Sequence, residues 1–533
     1  MSGGRRLRAP TTDGVWLIDP PWSELPKAVA ANIAAGSARF YDFGGTSLAQ
    51  LSEQARVDLI RDALRDTTQY RDVSSSALRA PSSALVLAGH QPEMFHPGVW
   101  AKNFALAKLA QAVGGTAINL VIDGDTAKTV SLRVPTGSVE EPRVESVPFD
   151  APGDEIPHEE RRVADTDLFA SFGERAATTL RPLLPDPLMH GYWPRVRARH
   201  AAGVATLGDC LAEARHQLEG EWGLETLEYR QSRMCETPSF RRFALHLLAR
   251  LPEFHAAHNG ALVDYRRREN IRSANHPVPA LAVADDYLEA PLWVWTTQNP
   301  RRRRVFARRI GGGLELTDRG EFRTRLPLAE SDDVAKGIDA LQTLAEQGIK
   351  LRSRALLTTM YARLVLGDLF IHGIGGGKYD ELTDEIVRRF FEFEPPGYAV
   401  VTATRRLPIP LPPRSDKSAA ELEHELWELA HHPERFLTGS ETEAGAWIEQ
   451  KRRWTETAPT RENGRERCHA IRDANAELRK FTKLEASRVA ERLVVARRRE
   501  RTEALLTSRE FSSFLFPEQD LREFLLALPT NLR

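Results

Sequence analysis

Ser83-Ala-Leu-Val-Leu-Ala-Gly-His90-Gln-Pro-Glu-Met-Phe-His96-Pro-Gly98-Val-Trp-Ala-Lys102-Asn103 runs directly into Phe104-Ala-Leu-Ala-Lys-Leu-Ala. An apolar run breaks at Gly89, a polar loop follows, and a helix-forming segment begins near Val99, which is the order strand, ligand-facing loop, helix. In open α/β sheets small molecules sit at such strand ends, because exposed helix N–H groups can receive an anion. Thr116-Ala-Ile-Asn-Leu-Val-Ile predicts a second strand that ends at Asp123-Gly-Asp125. A parallel pair needs a crossover, and residues 99–113 are long enough to supply it, so His90 and Asp123 are expected at neighbouring strand ends.

Outward from this unit, residues 1–82 read as an N-terminal helical and irregular segment, with a surface helix over Leu51–Leu64. Residues 83–407 read as an α/β core with insertions. Within it, 135–165 predicts a solvated loop, and 166–185, 206–222 and 238–250 have helical spacing. Strands are expected at 289–295, 305–307 and 314–316, either as an antiparallel group or as an edge on the main sheet. Leu351–Arg363 predicts a helix. Leu364–His372 predicts a short strand meeting a flexible polar loop, Gly373-Ile-Gly-Gly-Gly-Lys378, and the next helix is expected from Asp380. Pro408–Pro413 marks a boundary. Beyond it, Lys417–Leu437 and Asn475–Leu506 predict a helical hairpin or coiled coil over 408–510, a surface suited to a homodimer. Residues 511–533 are expected to return onto a domain through Phe511, Phe514 and Phe516.

The 533 residues carry 73 Lys plus Arg against 74 Asp plus Glu, a formal charge of -1, so no global basic field points to nucleic acid. The 41% hydrophobic and 28% charged content is a globular balance. Three cysteines, Cys210, Cys235 and Cys468, form no disulfide framework and fit a reducing compartment. No secretory signal and no membrane span is expected, which together predict a soluble cytoplasmic protein.

His90 and His96 are candidate acid–base groups, because imidazole titrates near neutrality. They can equally satisfy hydrogen bonds around a tight proline-containing loop. Gln91 can orient a carbonyl or amide, and Lys102 can offset negative charge. Asp123 and Asp125 can position an amine or hydroxyl, or stabilise a turn; further oxygen ligands for a cation are missing, so no metal site is expected. His255 and His258, three apart, suit one helix face without completing a metal motif. Arg272, Asn275 and His276 gather in a polar turn before Pro277 and are candidate substrate ligands, and the Arg301–Arg304 run can meet an anion or form a solvated face. Gly375 permits close backbone approach and Lys378 can contact a carboxylate or phosphate, although the segment lacks a P-loop pattern. Ser415-Asp-Lys417-Ser418 bears a superficial likeness to an adenylate-forming lysine loop. If ATP or another nucleotide takes part, its phosphates would meet the helix start at Val99 and Trp100.

The motif Ala88-Gly-His-Gln-Pro-Glu-Met-Phe-His-Pro-Gly-Val-Trp-Ala-Lys-Asn, the strand-end Asp123-Gly-Asp125, the Arg354 helix leading to His372-Gly-Ile-Gly-Gly-Gly-Lys-Tyr and the long C-terminal helices together resemble the bacillithiol biosynthesis cysteine-adding enzyme family. The likeness covers the layout of residues 80–510. It implies a Rossmann-like, nucleotidylyltransferase-type core with an α-helical coiled-coil or hairpin elaboration. The family's loop usually begins Thr-Gly-Gln-Gln; Gly89 and Gln91 match it, while His90 departs, and a glycine-proline feature of the late loop is replaced by Gly375-Gly-Gly. His90-Gln-Pro also looks like the opening of WbqC-like proteins. The expected function is a ligase or transferase joining an amine-bearing small molecule, of which cysteine is one candidate, to a sugar or amino-acid-like acceptor. The alternatives are nucleotidyl transfer to a phosphorylated small molecule and a non-catalytic dimeric ligand-binding protein.

Overall fold

The computed structural model describes residues 7–73, 83–327, 333–411, 416–437 and 442–529; Ser415 of the lysine-loop tetrad lies outside them. Two compact units emerge. One comprises Met1–Val134, Glu145–Leu407 and Arg509–Arg533, and the other Pro135–Val144 and Pro408–Ser508. In chain order the strands are β1 (Trp16–Asp19), β2 (Leu85–His90), β3 (Thr116–Val121), β4 (Ser131–Gly137), β5 (Pro142–Pro148), β6 (Leu227–Arg230) and β7 (Val283–Ala284). They continue with β8 (Tyr287–Thr296), β9 (Arg303–Ile310), β10 (Gly313–Thr317), β11 (Arg323–Pro327), β12 (Ile349–Ser353), β13 (Leu369–His372) and β14 (Ala399–Ala403).

The larger unit is mixed α/β. Its main sheet has the order β1-β14-β13-β2-β3-β6, parallel throughout except for β1, which runs antiparallel to β14 at the edge. β2 and β3 pair with His90 opposite Val121, so the expected neighbouring strand ends are formed. From β2 the chain winds outward to β3 and β6, whereas from β13 it winds the opposite way to β14. Right-handed crossovers in opposite directions put their helices on opposite faces. Helix Ile374–Phe391 covers one face and shares an apolar cluster with Leu85 and Leu87; by alternation Val86 and Ala88 face helix Pro97–Ala112. Burial on both faces explains why β2 and β3 read as near-continuous apolar runs.

β11-β10-β9-β8-β12 form a second, antiparallel sheet, with β7 paired to β8. The strands expected at 289–316 therefore build their own sheet and leave the main sheet's edges alone. Leu351–Arg363 begins as strand: β12 pairs with β8 through Ile349–Ser353, and the helix starts only at Ala355. The short strands β1, β6 and β14 carry too few residues for a periodic signal. The segment 135–165 contains part of a hairpin, β4 with β5.

In the smaller unit three helices replace the expected hairpin: Ala419–His431, Thr442–Glu456 and the 43-residue Gly464–Leu506. The apolar seam between the first and third is formed by Leu422 and Leu429 with Val489 and Leu493. Ser418 and Glu421 close a capping box at the first helix start. Among the described residues no helix is long and apolar enough to cross a membrane.

The glycine-rich segment expected as a flexible loop is the first turn of helix Ile374–Phe391. Its glycines serve close packing: a Cβ on Gly377 would sit 2.5 Å from Val400 Cγ2 on β14, whereas one on Gly375 would meet nothing within 4 Å. Gly377→Ala should therefore destabilise the larger unit by about 1–3 kcal/mol through overpacking. Gly375→Ala should be neutral or stabilise by up to about 1 kcal/mol, because alanine loses less backbone entropy in a helix. Urea denaturation of the two variants measures both effects, and equal losses would contradict the packing assignment.

Candidate functional site

A cavity of about 260 Å³ opens beside the carboxyl ends of β2 and β3, in the larger unit. Gln91, the first residue after β2, and Gly124 and Asp125, just after β3, form one wall; Trp293 of β8, Arg302 and Arg354 form another. Gln91 Nε2 donates to Asp125 Oδ2 at 2.9 Å, and Arg302 Nη1 donates to Asp125 Oδ1 at 2.9 Å and to the Gly124 carbonyl at 3.2 Å. Burial works to raise the Asp125 pKa, but the Gln91 hydrogen bond and the Arg302 charge hold it below the usual carboxylate range, so the group stays ionised.

Arg302 and Arg354 both lie over the Trp293 ring, at 4.9 and 4.7 Å from its centroid. Arg354 Nη1 is anchored at 2.6 Å by the fully buried Glu289. Burial lowers the pKa of Arg354, with the Glu289 charge opposing the shift. The result is a wall of two ion-paired guanidinium groups with an aromatic backing, Arg302 matched by Asp125 and Arg354 by Glu289.

Gln231, immediately after β6, lines the same cavity. Its Nε2 donates to the Ser353 carbonyl, Ser353 Oγ and Thr358 Oγ1 at 3.0, 3.0 and 2.9 Å. That arrangement fixes the orientation of the amide and, among the described residues, leaves the buried Oε1 without a protein donor. An unsatisfied buried carbonyl oxygen costs about 1–3 kcal/mol, a cost that a ligand N–H or O–H would remove. His258 also lines the cavity; burial lowers its pKa to about 4, which keeps the imidazole neutral. It lies on helix Leu251–Arg268 with Nδ1 3.0 Å from Asn259 Oδ1, and among the described residues no cluster of His, Cys, Asp or Glu is arranged to hold a metal ion.

Of the residues expected from sequence, the structure brings Gln91, Asp125, His258 and, from the Arg301–Arg304 run, Arg302 into the cavity. The others are placed differently. His90 stacks on Phe95 at 5.2 Å and its Nδ1 accepts the Gln91 N–H at 2.7 Å; burial and then the Lys102 charge push its pKa well down. His96 caps helix Pro97–Ala112, accepting the Gly98 N–H at 3.1 Å, and burial lowers its pKa to about 4. Lys102 is buried, donates to the Gly89 carbonyl at 2.7 Å, and is lowered by burial to about 8.

Val99 and Trp100 do not present a phosphate seat. Pro97 has no N–H, the Gly98 amide is taken by His96 Nδ1, and the Val99 and Trp100 amides donate to the His96 carbonyl at 3.0 and 3.3 Å. The Trp100 indole is spent on Glu219 Oε1 at 2.6 Å. Arg272, Asn275 and His276 are exposed; the residues that reach the cavity from that turn are Val278 and Pro279. Lys378 and Gly375 are exposed on helix Ile374–Phe391.

Gln231, Trp293, Ser353 and the ligand-facing role of Arg354 were not foreseen. Gln231 follows a strand of only four residues, and the others come from the second sheet, whose position the sequence pattern does not reveal. No protein-family model matches the sequence, and no curated protein matches it.

Asp123, just outside the cavity wall, takes hydrogen bonds from the Ser232 N–H at 2.8 Å and from the Ser232 hydroxyl. Burial, with the Glu159 charge second, raises its pKa to about 7. The folded chain therefore binds this proton more tightly than the unfolded chain. The associated stability is fully present below about pH 4 and is lost as pH rises through about 7, a difference of a few kcal/mol at about 1.4 kcal/mol per unit. Asp123→Asn should flatten this part of the stability profile and leave the variant relatively more stable at pH 8 than at pH 5. Denaturant titrations across pH 4–8 measure it, and a profile unchanged by the substitution would refute the assignment.

Proposed function

We propose that this chain is a transferase or ligase with a Rossmann-like, nucleotidylyltransferase-type core. In this reading it joins an amine-bearing small molecule to a sugar or amino-acid-like acceptor. The observation that carries the reading is the pairing of opposite charges within one metabolite-sized cavity beside the carboxyl ends of β2 and β3. The Gln231 carbonyl oxygen, with the Asp125 carboxylate close by, suits an amine N–H; the guanidinium donors of Arg302 and Arg354 not used on Asp125 and Glu289 suit an anion on the acceptor. The resemblance carried by Ala88–Asn103 supports a cysteine-like donor.

Holding the two substrates against fixed charges converts an encounter in solution into a reaction between positioned groups. As the amine nitrogen bonds to the acceptor, the acceptor's leaving group departs with the electron pair of the bond that breaks and the amine proton passes to solvent; Arg302 and Arg354 stabilise the negative charge that develops on the departing group. Gln91 keeps the Asp125 carboxylate oriented, and the neutral His258 can take or return a hydrogen bond without adding charge. A nucleotide, if consumed, would find its cationic partners at Arg302 and Arg354, since the first-turn amides of helix Pro97–Ala112 are occupied internally.

The test is incorporation of ¹⁵N-labelled amino acids into a small-molecule product, followed by mass spectrometry with and without ATP, using acceptors that co-purify with the protein. Arg354→Gln and Asp125→Asn should each reduce incorporation about tenfold to a hundredfold, as expected for a lost charge-assisted hydrogen bond. Lys378→Ala should leave it unchanged. Full activity in both cavity variants, or dependence on Lys378, would refute the placement of the reaction in this cavity.

A further inference from the structure

A second cavity, of about 570 Å³, lies in the same unit at the amino end of the parallel strands, beside Gly367 and Asp368 just before β13. Helices Leu25–Ser37 and Leu48–Thr67 wall it on one side and the π-helical turn Ala362–Leu366 on the other. Single-turn π segments recur at functional sites.

Three guanidinium groups face this cavity, and they are not equivalent. Arg56 is spent on a bidentate pair with Asp368 at 2.9 and 2.8 Å. Arg363 is buried and committed to Asp380 and Asp384 at 3.0 and 2.7 Å. Arg39 donates through Nε to the Glu394 carbonyl at 3.2 Å and lies 5.8 Å from the Phe393 ring centroid, and among the described residues its terminal amines meet no protein acceptor. Burial and then the nearby Arg363 charge disfavour the Arg39 cation, a strain that a bound anion would relieve. Beside it, Ile33 and Val57 are 45% and 41% exposed, and both line the cavity.

We infer that this cavity binds a small organic acid whose single carboxylate pairs with Arg39 and whose apolar body lies across Ile33 and Val57. A monoanion fits better than a dianion, because the exposed Glu53 also faces the cavity and Asp368 is already neutralised by Arg56. Apolar contact supplies affinity in proportion to the area removed from water, and the guanidinium selects the carboxylate in a bidentate geometry.

Isothermal titration of the full chain with octanoate, octylamine and inorganic phosphate tests the inference. Octanoate should bind saturably. Arg39→Gln should weaken it about tenfold or more, the loss expected for a charge-assisted pair. Val57→Asn, altered only at an exposed position, should weaken it severalfold without affecting folding. Octylamine should not bind. Arg354→Gln, in the other cavity, should leave octanoate affinity unchanged. Octanoate affinity unaltered in Arg39→Gln and Val57→Asn, no octanoate binding at millimolar concentration, or phosphate binding as tightly as octanoate would each overturn it.

Discussion

The reversal of winding between β2 and β13 is the constraint on which the larger unit depends. These adjacent parallel strands each feed a crossover helix, one toward β3 and the other toward β14. Because such crossovers share one hand, the helices must leave on opposite faces, and the backbone diverges just beyond the strand ends. Lys102 lies in this divergence. Its ammonium donates to the Gly89 carbonyl at the end of β2, and its Cδ lies 4.0 Å from where a Cβ on Gly373 would sit after β13. A buried ammonium is costly unless hydrogen-bonded, and its lowered pKa reflects that burial.

The two faces of the sheet then take different tasks. On the face of helix Pro97–Ala112, polar groups are consumed by structure. Glu219 Oε1 accepts from Trp100, Asn103 and Arg215 at 2.6, 2.7 and 2.6 Å, and Glu228 accepts from Asn119 at 2.6 Å and from Arg215. This buried network ties the helix to β3, β6 and helix Leu207–Glu221. Removing one member of such a network leaves an uncompensated charge, which makes these residues poor candidates for a changeable substrate contact. Gln231 Oε1 differs in its place: among the described residues it has no donor, and its side chain lines the first cavity.

Charge in the first cavity is arranged by second partners. Glu289, fully buried, takes Arg354 Nη1 at 2.6 Å, Arg304 at 3.4 Å and the Ala282 N–H at 2.9 Å. The guanidinium of Arg354 is thereby held against Trp293 with its remaining donors directed by geometry, and Arg302 is held on the same ring by Asp125 and the Gly124 carbonyl. Positioned cations backed by an aromatic ring recognise an anion at lower ordering cost than free side chains do.

The sequence alone determined the local α/β unit: the two buried strands around Leu85–His90 and Thr116–Val121, the helix between them, their parallel pairing, and the C-terminal helical segments with their seam. Those features rest on short-range periodicity and on continuous apolar runs, which persist whatever the rest of the chain does. Gln91 and Asp125 were legible for the same reason, since each follows a recognisable strand. The glycine segment at 373–378 was not, because glycines that serve a flexible loop and glycines that let a helix approach Val400 look alike until the neighbour is known. Val99 and Trp100 do not offer the expected phosphate seat because a helix start advertises free amides only when its own cap and carbonyls leave them free, and His96 takes the hydrogen-bonding role that the loop reading also allowed. Only the tertiary structure decided that β8 and β12 of a separate antiparallel sheet bring Trp293 and Ser353, with Arg302 and Arg354, to Gln91, Asp125 and Gln231. These residues are separated by up to hundreds of positions, and nothing in local propensity encodes which non-local surfaces meet; that follows from which apolar faces the whole chain can bury together.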